Sequence, residues 1–385
     1  MKKKKILTII LISIIIIIIL SLILYFSTNK FKIKLKNIGY NNLETNEILK
    51  LSDNEIKEIL KYEYNENFIY IIKSDNFDSK KINLYLKYVN LYKDINYLKI
   101  FNLINNNNID INKIDKYIEL LREYDDIEAI ILYINNYSDL NINLNETILS
   151  FIKEKYFIKD YLDRYLKYYE NNKQLSFKEI VTRVNSNIDY TFYENSKAAD
   201  LTKGMYILIN KFYYLENNFI PNDLEVVSYT YAINNTKLNK TALLNFVKMY
   251  EDAKSENLNF KITTAYRDYK FQSILYNNYV NADGKTLADT YSARPGYSEH
   301  QLGYSFDLTN DDYVDFNEFE FTDEYKWLKN NAHKYGFILR YPKDKEYITG
   351  YIFEPWHYRY VGSDISTYIY ENDITYEEYY AYFLR

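Results

Sequence analysis

Ser298-Glu299-His300-Gln301-Leu302-Gly303-Tyr304-Ser305-Phe306-Asp307 is the stretch on which the fold turns. Pro295-Gly296, just ahead of it, marks a turn that delivers His300 into a loop before a strand. Side chains alternate across a strand, so Tyr304, Phe306 and Leu308 share one face while Ser305 and Asp307 share the other. The apolar face packs, and Asp307 is free to point with His300 towards a common centre. A second stretch, Glu354-Pro355-Trp356-His357, opens another strand-like run. There His357 lies opposite Trp356 and Tyr358, and Glu354 precedes it across a proline-containing turn.

Working outward, turn residues punctuate the chain after about residue 180, from Pro221-Asn222-Asp223 to Gly362. Between them, strand-like runs cover 260–266, 303–308, 351–353 and 356–361. Helical patterns cover 242–253, 269–281 and 323–335, the last with Gly336 as its C-terminal cap. Strands mixed with helices without regular alternation predict an α+β catalytic domain, a small central antiparallel sheet flanked by helices, over 179–385.

Upstream, residues 29–178 predict an all-α region, a spacer or interaction module. Ile48, Leu51, Ile56, Ile59 and Leu60 recur at helical steps, and Gly39 is the one Gly or Pro between 37 and 175. Tyr85-Leu86-Lys87-Tyr88 returns as Tyr165-Leu166-Lys167-Tyr168. This hints at a duplicated helical unit, or at coincidence in a Tyr- and Lys-rich chain. At the N-terminus, Lys2 to Lys5 precede an apolar run to about Phe26, interrupted only by Thr8, Ser13 and Ser21. About 20 apolar residues suffice to span a bilayer, and no small-residue cleavage site follows. Residues 1–28 are therefore expected to form a basic end and one N-terminal transmembrane helix. That helix would anchor a single-pass protein to the cell membrane with its catalytic domain outside.

The 385-residue chain carries a formal net charge of −5, and without its leading lysines the body is more acidic still. That argues against nucleic acid as a partner. With no cysteine, disulfides, thiolate zinc sites and a cysteine nucleophile are excluded. The only histidines are His300, His333 and His357. His333 falls in the last turn before Gly336 and is read as a helix-end residue, suited to the helix dipole. The remaining two, with Asp307, make a two-His, one-carboxylate zinc site the natural expectation, since catalytic zinc takes three protein ligands and keeps one position open. Glu354 is placed to act on a water at such a site as general base.

These segments resemble the VanY-type D-alanyl-D-alanine carboxypeptidases, zinc peptidases of LAS-type fold with the pattern S-x-H-x-x-G-x-x-x-D followed by E-x-W-H. The matching residues are Ser298, His300, Gly303, Asp307, Glu354, Trp356 and His357. Further likeness runs through Ala265-Tyr266-Arg267, Ala293-Arg294-Pro295-Gly296 and Arg359-Tyr360-Val361-Gly362. The resemblance covers roughly residues 180 to 365. It departs at Leu302, Tyr304 and Ser305, inside the motif but off the ligands.

What the resemblance implies is one Zn2+ per chain, held by His300, Asp307 and His357, with Glu354 as the general base. Arg267 would grip the substrate's terminal carboxylate, with Ser298 and Gln272 as weaker peptide contacts. The implied partner is a peptidoglycan stem peptide that loses its terminal D-alanine. An LD-carboxypeptidase, an endopeptidase of the same fold and an inactive wall-binding protein are the alternatives. Arg294 and Arg359 are read as structural ion-pair partners ahead of peptidoglycan contacts.

Overall fold

The computed structural model describes residues 14–23, 25–26, 29–139, 142–312 and 315–385. Two compact units divide at Lys153 and Glu154. The expected transmembrane helix is corrected by the structure: among the described residues, no helix is long and apolar enough to cross a membrane. Residues 1–13, 24, 27 and 28, on which that expectation also drew, lie outside the described residues.

The first unit is all-helical, as its apolar periodicity predicts. Its starts are chemically marked: Asn41 with Glu44, and Ser52 with Glu55, form capping boxes at helices Asn42–Ile48 and Asp53–Ile59. Within it, a tyrosine pins one loop to the next. Tyr85 donates its hydroxyl to the Asn105 side chain, whose amide donates to the Asn76 carbonyl at 3.2 Å. Tyr117 does the same with Asn135, which reaches the Asn108 carbonyl at 2.9 Å.

The second unit contains a third copy of this device. Tyr165 donates to Asn185 at 2.6 Å, and Asn185 donates to the Tyr156 carbonyl at 2.8 Å. The four-residue recurrence in the sequence is thus the visible part of a longer repeat. Each copy starts with a three-residue turn, Ser79–Lys81, Ile111–Lys113 or Lys159–Tyr161, leading into a helix.

The expected domain boundary at 178/179 differs from the division at 153/154. The reason is local packing: Tyr382 stacks on Tyr156 at 3.7 Å and hydrogen-bonds Thr182 at 2.7 Å, which ties the last helical pair to the C-terminal segment.

A four-stranded antiparallel sheet lies at the centre of the second unit. Its strands are β1 (Phe260–Thr264), β2 (Ser305–Asn310), β3 (Phe337–Leu339) and β4 (His357–Tyr360), in spatial order β1-β2-β4-β3. Helix α1 (Lys240–Ser255) lays Phe246 and Met249 on one face of it, against Phe260, Ile262, Phe306 and Tyr358. The rings of Phe246 and Phe306 meet at 5.0 Å. Each such buried aromatic contributes about 1.5–3 kcal/mol. Helix α2 (Tyr269–Asp283) begins where Asp268 accepts the Phe271 amide at 2.7 Å. Helix α3 (Asp323–Asn331) runs into a tighter turn that ends on Gly336 at φ 89°.

Residues 351–353 are not a strand. Their neighbourhood spends its amides elsewhere, Tyr351 on the Thr349 hydroxyl, Ile352 on the Thr290 carbonyl at the end of helix Lys285–Tyr291 and Glu354 on that of Tyr341. No ladder partner remains.

Candidate metal centre and active site

β2 and β4 are neighbours, and their register sets Asp307 opposite His357. Both side chains lie on the face away from Phe306 and Tyr358. His300 arrives from the short turn Glu299–Leu302, which closes on Gly303 at φ 76°. A side chain at Gly303 would be strained in that conformation, and its Cβ would come within 2.7 Å of Leu224. His300 Nδ1 lies 2.6 Å from the Ala265 carbonyl oxygen. A carbonyl only accepts, so Nδ1 carries the proton and Nε2 presents its lone pair.

Asp307 Oδ1 stands 3.4 Å from His300 Nε2 and 3.2 Å from His357 Nδ1. Ligand atoms from these three residues all fall within 4.8 Å of one another. His300 Nε2 and Asp307 Oδ1 are nevertheless buried without a hydrogen-bond partner among the described residues. Buried polar atoms are normally satisfied. A nitrogen and a carboxylate oxygen left unsatisfied around one point, with a second imidazole nitrogen beside them, fit a divalent cation, and this donor set suits zinc.

The electrostatics agree. Burial, helped by the Arg267 cation, lowers the His300 pKa to about 4, so its imidazole is neutral. Burial would raise Asp307, but the two imidazoles outweigh it and hold the carboxyl well below its usual range. At His357 burial is again overcome, here by the Asp307 and Glu354 carboxylates, and the pKa rises to about 9. The field that favours a proton there also favours a metal cation.

Glu354 is buried, with Oε2 3.4 Å from His357 Nδ1, and burial raises its pKa. Arg267 Nη1 lies 3.2 Å from Asp307 Oδ2. These residues and Ser298 line one cavity of about 670 Å³, whose walls include Phe271 and Trp356. Gln272 stands apart from that lining. Its carbonyl oxygen accepts from Arg267 Nε at 3.1 Å and its amide donates to the Ala293 carbonyl at 2.7 Å, so it braces the arginine. His333 stacks on Tyr370 at 3.8 Å, outside the site. Arg294 pairs with Asp289 at 2.7 Å, as its structural reading requires.

Sequence reasoning gave no role to Glu299, which lines the cavity beside His300, or to Arg340 and Glu377, buried behind it. Arg340 Nε meets Glu299 Oε1 at 2.9 Å, and its other nitrogens fork onto Glu377 at 2.9 and 2.7 Å. Arg359 joins them 3.2 Å from Glu299 Oε1. The one available signal was the placement of Glu299 beside a candidate ligand.

An α+β domain in which a sheet and its flanking turns bring two imidazoles and two carboxylates into one buried cleft has the make-up of a metal-dependent hydrolase. Residues 235–363 match the family described as VanY: D-alanyl-D-alanine carboxypeptidase. Among curated proteins, the putative carboxypeptidase YodJ of Bacillus subtilis is 40% identical over 179 residues, covering 45% of this chain and 66% of its own length. A D-alanyl-D-alanine carboxypeptidase of Enterococcus faecium is 34% identical over 203 residues, covering 49% of this chain and 63% of its own. The chain thus spans just under two thirds of the length of these relatives. Of solved structures, VanYB in complex with D-alanine-D-alanine is 32% identical, with 46% of this chain and 96% of that one covered and a TM-score of 0.40. This chain belongs to the VanY-type family of carboxypeptidases.

Proposed function

We propose that this protein is a zinc-dependent D-alanyl-D-alanine carboxypeptidase, with one zinc per chain. It removes the terminal D-alanine of peptidoglycan stem peptides and acts outside the cytoplasm, where those peptides are cross-linked. The observation that carries this reading is the meeting of His300, Asp307 and His357 with Glu354 and Arg267 around one cavity.

His300 Nε2, Asp307 and His357 Nδ1 would hold the metal, which when bound supplies Lewis acidity that lowers the pKa of a water to about 7 and polarises a carbonyl. Glu354 takes a proton from the attacking water and passes it to the leaving amine of D-alanine. Burial suits it to the first of these steps, because a raised pKa makes the carboxylate a better base. Arg267 receives the substrate's terminal carboxylate through its planar donors. Gln272 fixes the guanidinium by accepting from Nε, and Ser298 contributes a polar contact at the cavity wall. Tyr341 and Tyr351, buried against Glu354, keep bulk water from the reacting groups.

Incubation of the zinc-loaded protein with a stem pentapeptide ending in D-Ala-D-Ala is expected to release free D-alanine. Release from the tetrapeptide alone would replace this proposal with LD-carboxypeptidase activity.

A further inference from the structure

We propose that Glu299 is a positioning residue of the metal centre, and that its Oε2 accepts a hydrogen bond from the Nε2–H of His357, fixing the lone pair of His357 Nδ1 on the cation. The inference rests on the metallopeptidase reading above and extends it to residues that touch neither substrate nor metal.

The two ring nitrogens of His357 have different surroundings. Nδ1 faces the ligand side, 3.2 Å from Asp307 Oδ1 and 3.4 Å from Glu354 Oε2. Nε2 is buried and has no hydrogen-bond partner among the described residues. If Nδ1 gives its lone pair to a cation, the neutral imidazole must carry its proton on Nε2. A buried N–H then needs an acceptor. Glu299 Oε2 lies 4.0 Å away, so a shift of about 1 Å brings it to hydrogen-bond length. On another side of the imidazole the Tyr341 ring packs edge to face at 4.9 Å and offers no comparable acceptor.

Glu299 is itself held in a way that suits the task. Its Oε1 is occupied by Arg340 at 2.9 Å and Arg359 at 3.2 Å. That leaves Oε2, which faces His357 Nε2 and accepts from the Ser305 hydroxyl at a long 3.5 Å. The two guanidiniums also keep Glu299 a carboxylate, and a carboxylate behind a metal-bound imidazole raises its basicity and fixes its orientation. Arg340 is in turn forked onto Glu377, which lies beyond the family-matched residues 235–363. The last helical segment of the chain thereby bears on the metal site through Glu377, Arg340, Glu299 and His357.

Two measurements test this. Nitrogen-15 NMR of histidine-labelled, zinc-loaded wild-type protein should show His357 with a protonated, hydrogen-bonded Nε2. A His357 bound to zinc through Nε2, or with its proton on Nδ1, overturns the proposal without any substitution. Glu299→Gln, if folded, should bind zinc about 10- to 100-fold more weakly in competition with a chromophoric chelator. At saturating zinc it should show a lower kcat with KM unchanged. Unaltered zinc affinity in a folded Glu299→Gln protein overturns the proposal too. Failure of the wild-type protein to release D-alanine would instead strike the catalytic reading and leave the NMR result to stand alone.

Discussion

The helical repeats and the catalytic sheet both bury polar side chains, and they do so with opposite chemistry. In the repeats the pins are neutral, a tyrosine hydroxyl, an asparagine amide and a backbone carbonyl, three times over, each with its tyrosine ring in the core and, in the first two, its asparagine half-buried. Around the sheet the buried groups are charged, with Arg340, Arg359 and Glu299 each essentially inaccessible to water. A neutral hydrogen bond contributes about 1 kcal/mol net and asks little of its surroundings. A buried ion pair costs several kcal/mol to desolvate and only roughly recovers it. Stability alone gives no reason to choose the second arrangement. A fixed field and a fixed imidazole behind a metal do.

The comparison is sharpened most by Glu354→Gln. If the carboxylates of the sheet serve chemistry, kcat for D-alanine release falls by about 10²–10⁴-fold while the thermal midpoint barely moves. A large loss of stability with modest loss of rate would put Glu354 among the structural groups. Next comes Arg340→Met, which leaves Glu299 and Glu377 buried without their shared counter-charge. Denaturant unfolding of the second unit should show a loss of about 3–5 kcal/mol. Smaller is Tyr117→Phe in the first unit, which removes one hydrogen bond from the half-buried Asn135 and should cost about 0.5–1.5 kcal/mol with kcat and KM unchanged. If Tyr117→Phe proved as damaging as Arg340→Met, the contrast between neutral and charged interiors would fail.

The most gradual effect is a pH dependence. Burial lowers the Lys211 pKa from its ordinary 10.5 to about 8, and its ammonium is held by the Asp289 and Gly350 carbonyls. Because the folded-state pKa lies below the unfolded one, the unfolded chain binds more protons between these values. This group's contribution to stability therefore rises as pH climbs from about 8 to 10.5, by at most about 1.4 kcal/mol per unit. The stability of wild type relative to Lys211→Met should grow over that window. A flat difference would mean that Lys211 titrates normally.

The ligand strand was legible because its period of two separates Asp307 from Phe306, and the structure keeps that separation. The helices were legible from their period and from Gly336 as a C-terminal cap, and the structure adds N-caps at Asp268 and Thr322. Other features left weaker traces. Arg340 and Glu377 look like surface charges in a sequence, because burial of a charge depends on a partner distant in the chain. Tyr117 has the same role as Tyr85 and Tyr165 but different neighbours, so a repeat of identical letters caught only two of the three. Residues 351–353 have the composition of a strand, yet a threonine hydroxyl and a helix-end carbonyl take the amides of Tyr351 and Ile352. The hydrophobic run at the N-terminus suggested a membrane span that the described helices do not supply.

Glu377 also sets a limit on how small this catalyst can be made. Trimming the chain at residue 363, where the family match stops, would strip an inaccessible guanidinium of two of its three contacts and remove the ring that stacks on Tyr156. The minimal self-sufficient enzyme therefore has to keep its final turn and begin no later than the hairpin that turn rests on, although none of those residues borders the cleft.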